Sequence, residues 1–206
     1  MNYKMVGRLI SMILLVEAAF LIFPMILCLV DREPQIALAF VESIGAMLAV
    51  SGLLRLLCRH AKPGFYAREG MVCVGASWVI MSLLGCLPFW LSRQIPSYID
   101  AFFEIVSGFT TTGSSILPEV ESLSRGILFW RSFSHWIGGM GVLVFLMAVV
   151  PISGRNDGFA MHLLRAESPG PSVGKLVPKM KQTAAILYLL LILHIWAALY
   201  YGLRWL

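Results

Sequence analysis

Long apolar segments separated by short polar ones make up most of the chain. Five segments match or exceed the roughly 20 residues that a helix needs to cross a bilayer. They lie at about 9–30, 36–57, 70–91, 127–150 and 183–203. The pattern predicts an all-α polytopic membrane protein with five transmembrane helices.

A shorter apolar segment lies between the third and fourth spans, at residues 101–109. Ser97 and Asp100, three residues apart, have the pattern of a capping box at a helix N-terminus. A helix over 98–108 would be about 16 Å long, which is half of a hydrocarbon core roughly 30 Å thick, and Gly108 suits its C-terminal end. We therefore predict a re-entrant helix that enters from the outer side and ends near the membrane centre.

The residues after this helix are small, polar and uncharged: Thr110-Thr111-Thr112-Gly113-Ser114-Ser115. Extended, they cover about 20 Å, enough to return to the outer surface. Backbone carbonyls and threonine hydroxyls can replace the hydration shell of a cation, and a helix C-terminus favours a cation nearby. Gly113 permits backbone angles that turn a carbonyl toward the axis. The stretch predicts one part of a filter for a weakly hydrated monovalent cation; the alternative is an extracellular loop without function.

A single loop of this kind cannot encircle an ion. Four are needed, from four chains or from four repeats in a longer chain. The unit of span, loop and span occurs once in this sequence. We therefore expect a fragment, or a natural truncation, of a longer repeat protein.

Composition agrees with a membrane protein and excludes two other classes. Apolar residues make up 59% of the chain and charged residues 13%, whereas soluble domains are about half apolar and a quarter charged. Disordered chains are poor in hydrophobic residues. Both a soluble globule and a disordered chain are excluded.

Basic residues lie on alternate loops, and the net charge is +5. They follow the second and fourth spans: Arg55, Arg59, Lys62, Arg68, Arg155, Arg165, Lys175, Lys179 and Lys181. Cytoplasmic loops carry such an excess, so we expect the N-terminus and the loops at 58–69 and 151–182 in the cytoplasm. The basic balance therefore indicates no nucleic-acid partner.

Three motifs together resemble one family. They are Asp100-Ala101-Phe102-Phe103-Glu104 with Ser107-Gly108-Phe109-Thr110-Thr111-Thr112-Gly113-Ser114, then Ser134-His135-Trp136-Ile137-Gly138-Gly139-Met140-Gly141, then Ala166-Glu167-Ser168-Pro169-Gly170-Pro171 with Lys175-Leu176-Val177-Pro178-Lys179. The chain is similar, over essentially its whole length, to the TrkH-like membrane subunits of the Trk/Ktr/HKT potassium-transporter superfamily. The resemblance implies a fold of four M1–pore loop–M2 units around one pore.

The same resemblance implies a division of the chain. Residues 1–60 would be a two-helix N-terminal extra domain, and residues 68–151 the first M1–pore loop–M2 unit. Residues 152–182 would be a cytoplasmic loop, and residues 183–206 the first helix of an incomplete second unit.

The resemblance also implies the site. The filter residues would be Thr111, Thr112, Gly113 and Ser114, with potassium at Thr111 and Thr112. The residues that support the filter would be Thr110, Glu104 and Gly108. In the family, a glycine at the Gly113 position goes with potassium preference, and a serine there goes with sodium.

Location and partners follow from the resemblance as well. The protein would lie in the bacterial inner membrane and transport potassium, with no organic cofactor. Its partners would be a second copy of the subunit and a cytoplasmic nucleotide-binding regulatory ring subunit. The alternatives are a sodium-coupled or sodium-selective Ktr/HKT-like transporter and a non-conducting truncated membrane scaffold. No nucleophile, base and orienting group recur at workable spacing, so no enzyme is predicted.

Three acidic residues lie within apolar segments, and intramembrane acids are functional candidates by default. Glu17 and Glu42 lie in the peripheral extra domain, so we favour structural pairing over a role in transport. Glu104 lies in the predicted re-entrant helix, where we expect it to brace the filter by hydrogen bonds.

Polar and small residues of the fourth span have structural interpretations. His135 is expected to pack or hydrogen-bond rather than bind a ligand. The cluster of Gly138, Gly139 and Gly141 permits close helix approach and predicts contact with the re-entrant helix. The four cysteines are expected to be small buried hydrophobic residues: Cys28, Cys58, Cys73 and Cys86.

Overall fold

The computed structural model of the 206-residue chain describes residues 2–59 and 67–140. Within these ranges the chain forms seven α-helices and no β-strand. The helices are α1 (Tyr3–Phe20), α2 (Ile22–Val30), α3 (Pro34–Leu57), α4 (Ala67–Gly85), α5 (Leu87–Leu91), α6 (Tyr98–Phe109) and α7 (Arg125–Met140). The end of the predicted fourth span, the loop predicted at 152–182 and the predicted fifth span lie outside the described residues.

Three stretches of the described chain are long and apolar enough to cross a membrane. They are Tyr3–Val30, Pro34–Leu57 and Glu69–Leu91, and they coincide with the first three predicted spans. The first begins earlier than predicted because the Asn2 side chain caps α1, accepting a hydrogen bond from the Met5 amide at 3.2 Å. The predicted class, a helical membrane protein, is confirmed.

Two of these spans are interrupted near a proline. The first is interrupted at Leu21, three residues before Pro24, and the third at Cys86, two residues before Pro88. Proline has no amide hydrogen and its ring clashes with the preceding turn, so it kinks a helix. Each apolar stretch therefore continues as two helices, α1 with α2 and α4 with α5.

The helices pack so that α6 is enclosed on its apolar side. α1 contacts α3 and α4, α2 contacts α3 and α7, and α6 contacts α4, α5 and α7. Ala101, Ile105 and Phe109 of α6 are buried, as are Phe89 of α5 and Trp130 of α7. α6 is therefore anchored by the core on one side, and the residues after its end are exposed.

All four cysteines are buried and free of disulfides. This confirms their predicted role as small core residues. Other apolar side chains stay exposed along α3 and α4, as expected for helices that contact lipid.

Candidate functional site

α6 forms where the capping pattern predicts it. The Ser97 hydroxyl accepts a hydrogen bond from the Asp100 amide at 3.4 Å, and the helix runs over Tyr98–Phe109. Ala101, Glu104 and Gly108 recur at helical spacing on the buried face of this helix. The sequence therefore predicted the start of α6 correctly.

α6 ends in a Schellman motif built on a threonine. The Thr112 amide donates to the Ser107 carbonyl at 3.0 Å, and the Thr111 amide donates to the Gly108 carbonyl at 2.9 Å. Thr111 has a φ of +56°, a left-handed conformation that costs an L-residue roughly 1–2 kcal/mol. Glycine is usual at this position, and the prediction that Gly108 ends the helix is wrong, because Gly108 lies inside α6. Such strain is typical of functional loops held by their surroundings.

Gly108 serves close packing against α7 instead. A Cβ at Gly108 would collide with the Ser134 hydroxyl of α7, and a Cβ at Gly138 would overlap the carbonyl of Phe109. The end of α6 therefore lies directly on α7, and the predicted role of Gly138 in close helix approach is confirmed. Gly141 lies outside the described residues.

The residues that follow, 110–116, are all exposed and are called the return segment below. Among the described residues, no donor reaches the carbonyl oxygens of Thr111, Thr112 and Gly113. Gly113 has a φ of +75°. Three successive carbonyls are therefore available to a cation at the negative end of the α6 dipole.

The Ser114 carbonyl is engaged elsewhere. It accepts a hydrogen bond from the Ser107 hydroxyl at 2.6 Å. The return segment is thus fixed to α6 at the point where its free carbonyls end. The Thr110 hydroxyl donates to the Val106 carbonyl at 2.8 Å and lies 2.8 Å from the Thr112 hydroxyl, so Thr110 links helix and segment at the other end.

The Glu104 side chain hydrogen-bonds the end of the return segment. Its carboxylate accepts from the Ser115 hydroxyl at 3.0 and 3.2 Å and from the Ile116 amide at 3.3 Å. Arg131 Nε of α7 lies 2.6 Å from the same carboxylate, and the side chains of Glu104 and Arg131 are 1% and 17% exposed. Glu104 is therefore a buried, ion-paired acceptor that holds two successive residues of the segment.

Arg131 is a residue that the sequence interpretation missed. No role is predicted for it from the sequence, although it lies within the predicted fourth span. A charged residue inside an apolar segment calls for a partner, and Glu104 is the acid in the neighbouring apolar segment. That pairing of charges was the available signal.

The intramembrane acids of the first two spans differ from expectation. Both carboxylate oxygens of Glu17 are buried without a hydrogen-bond partner among the described residues, and Glu42 is exposed on α3 with no ion pair in that part of the chain. The prediction that each of these two acids pairs with another group is therefore wrong for the described residues. His135 lies 2.9 Å from the Arg131 carbonyl, as its predicted hydrogen-bonding role requires.

These features define an integral membrane protein of packed helices, in which a short exposed segment follows α6 and carries three carbonyls that no donor reaches among the described residues. The family model TrkH, described as a cation transport protein, matches residues 36–203. The chain therefore belongs to the TrkH family of cation transport proteins. Membership of a transporter family also confirms the prediction that the chain is not an enzyme.

Several known proteins are similar to the chain. The Trk system potassium uptake protein TrkH of Salmonella typhimurium is 34% identical over 195 residues, covering 94% of this chain and 40% of that protein. The TrkH protein of Halomonas elongata is 32% identical over all of this chain and 43% of its own length. The crystal structure of the potassium transporter TrkH from Vibrio parahaemolyticus matches with a TM-score of 0.69 at 26% identity, over 92% of this chain and 37% of that one. The chain thus spans about 40% of the length of the curated TrkH relatives it matches.

Proposed function

We propose that the chain belongs to a Trk-type potassium uptake subunit and that Thr111, Thr112 and Gly113 form one quarter of its selectivity filter. The observation that carries this proposal is the row of three carbonyl oxygens that no donor reaches in the described part of the chain. The names of the relatives, potassium uptake proteins, supply the ion.

A ring of carbonyls suits potassium for a physical reason. An ion that leaves water needs several oxygens at once to replace its hydration shell, and backbone carbonyls supply them without a fixed charge. The return segment carries no carboxylate and is exposed over residues 110–116. We assign this exposed side to the pore, where the loops of three further units would complete the cage.

α6 has the dimensions of a pore helix. Its twelve residues span about 18 Å, too short for a bilayer core of roughly 30 Å. We assign α6 to a re-entrant position, with its N-terminus outside and its C-terminus near the membrane centre. In that orientation its dipole favours the cation at the carbonyls.

The supporting residues have separate tasks in this proposal. Thr111 and Thr112 bind the potassium ion. Ser114 was predicted to bind the ion with the other filter residues. We assign it an anchoring task instead, because its carbonyl accepts a hydrogen bond from the Ser107 hydroxyl. Glu104 holds the outer end of the segment, and Thr110 holds the inner end. Gly108 brings α6 onto α7.

The remaining organisation is proposed from family membership and charge. Residues 1–60 form an extra domain and residues 68–151 a first pore unit, with a cytoplasmic loop and a second-unit helix after it. The N-terminus lies in the cytoplasm, and the membrane is the bacterial inner membrane. A second copy and a cytoplasmic nucleotide-binding ring subunit are the proposed partners.

Replacement of Gly113 by serine tests the filter assignment. The full-length product of the gene is expressed in a bacterium that lacks its own potassium uptake, and rubidium and sodium uptake are measured per amount of membrane protein. A serine Cβ meets no atom within 4 Å at Gly113, yet the φ of +75° is unfavourable for a serine. Gly113→Ser is therefore expected to reduce the uptake of rubidium, which stands in for potassium, and to raise the relative uptake of sodium.

Gly45→Ser is the matched control. Gly45 also has open space around it, but it lies in the middle of α3 with an ordinary helical conformation. This control should behave like the wild-type protein. Equal uptake ratios in the wild type and Gly113→Ser would contradict the filter assignment, and a wild type that favours sodium would favour the sodium-selective alternative.

A further inference from the structure

Arg131 of α7 connects to the return segment through one carboxylate. Its Nε lies 2.6 Å from Glu104 Oε1, and the same oxygen accepts from the Ser115 hydroxyl at 3.0 Å. The other oxygen accepts from the Ile116 amide at 3.3 Å. We propose that Arg131 is a positioning residue for selectivity: it compensates the charge of Glu104 and so fixes the outer end of the filter. This inference rests on the proposed function.

Because the Glu104 side chain is buried, its carboxylate needs the positive charge of Arg131 beside it. Glu104 has 1% of its side chain exposed, so water cannot stabilise its carboxylate. A buried carboxylate that loses its arginine partner is strongly unfavourable. Without Arg131, the Glu104 carboxylate would turn toward other donors or toward water. Either movement removes the acceptor from Ser115 and Ile116, which hold the segment next to Gly113.

The position of Arg131 is itself fixed from both sides. The indole nitrogen of the preceding residue, Trp130, donates to the Gly85 carbonyl at 2.8 Å, and the Ser134 hydroxyl donates to the Arg131 carbonyl at 2.6 Å. Gly138 rests on the end of α6 two turns later. α7 therefore has little freedom to slide. Arg131 fixes the position of Glu104, and Glu104 in turn holds the return segment.

A second arginine on the same helix offers a matched control. Arg125 forms an ion pair with Asp31 at 3.2 Å, but its side chain is 79% exposed. Exposed pairs contribute little because water and salt screen them. Arg125→Met therefore removes an arginine pair of α7 without uncovering a buried charge.

The experiment compares four variants of the full-length gene product: Arg131→Met, Glu104→Gln, their combination, and Arg125→Met. Rubidium-to-sodium uptake ratios are measured in the uptake-deficient bacterium per amount of membrane protein. Arg131→Met should lower the ratio about tenfold, because part of the cost of leaving a buried charge unpaired is relieved by movement of Glu104 away from the filter. The combined variant should recover most of the ratio, because a glutamine oxygen still accepts from Ser115 and Ile116 and needs no cation. Arg125→Met should match the wild type.

Two results would overturn the inference. One is an unchanged ratio in Arg131→Met, whether the amount of protein is normal or reduced, and the other is a combined variant no better than Arg131→Met.

A wild type without selectivity for potassium would contradict the proposed function instead. In that case the melting temperature of the purified protein tests the structural part of the inference, the compensation of the Glu104 charge by Arg131. Arg131→Met should lower the melting temperature more than Arg125→Met does, with recovery in the combined variant. Absence of that recovery overturns the inference.

Discussion

Gly138 of α7 lies directly against the carbonyl of Phe109, the last residue of α6. The contact places a backbone atom where any other residue would have its Cβ. Since the return segment begins at the next residue, this single glycine fixes the distance between α7 and the base of the proposed filter.

Gly138→Ala should therefore destabilise the protein. The added methyl group meets backbone, which cannot rotate away, and such overpacking costs about 1–3 kcal/mol. The adjacent Gly139→Ala is the control, because its Cβ would meet Thr111 Cγ2 at 3.8 Å, an ordinary contact. Thermal unfolding of the purified protein in detergent measures both. Equal melting temperatures for the two variants would show that the close contact has no energetic importance.

The hydrogen bond from Trp130 to Gly85 predicts a second stability effect. The break between α4 and α5 leaves the Gly85 carbonyl to accept from Trp130 at 2.8 Å in a fully buried position. Trp130→Phe should cost about 1–3 kcal/mol, the scale of a buried polar group left without its partner. Trp90→Phe is the control, since Trp90 is partly exposed and contacts Tyr98 by its ring. A similar loss of melting temperature in both variants would argue against the hydrogen bond as the cause.

Much of the fold follows from local signals in the sequence. Span positions depend on the length of apolar segments, and the start of α6 depends on Ser97 and Asp100, which lie three residues apart. Gly138 was also assigned correctly, because a small residue in an apolar helix has few other uses. Each of these inferences needs only residues close together in the chain.

The missed features depend on distant residues or on a rare conformation. Glu104 and Arg131 are 27 positions apart, and Trp130 and Gly85 are 45 apart, so only the packed structure brings them together. Thr111 ends α6 in a left-handed conformation, and propensity predicts glycine there instead. The preceding glycine, Gly108, is therefore wrongly predicted as the helix end.

The bond between Ser107 and Ser114 makes a prediction about selectivity. Ser107→Ala releases the Ser114 carbonyl, which now accepts at 2.6 Å, and the return segment gains freedom beside Gly113. The rubidium-to-sodium uptake ratio should fall while the protein still reaches the membrane. Ser77→Ala is the control, because the Ser77 hydroxyl donates to the Cys73 carbonyl within its own helix. A normal ratio in Ser107→Ala would remove this bond from the account of the filter.

The re-entrant position of α6 predicts which residues face the outside. Pro96 and Glu121 lie before and after α6 and are exposed. Single cysteines at these two positions should both react with a membrane-impermeant maleimide on intact cells, while a cysteine at Arg59 should react only after the membrane is opened. The native cysteines are buried and can be replaced first. Labelling of Pro96→Cys and Glu121→Cys from opposite sides would mean that the chain crosses the membrane between them.

The position of the ion itself tests the central claim most directly. The full-length protein can be crystallised in rubidium and the anomalous scattering of that ion measured. The account predicts a rubidium peak in contact with the carbonyl oxygens of Thr111, Thr112 and Gly113, the oxygens that no protein donor reaches among the described residues, and a weaker peak in Gly113→Ser. A clear rubidium peak elsewhere, with none at these carbonyls, would contradict it.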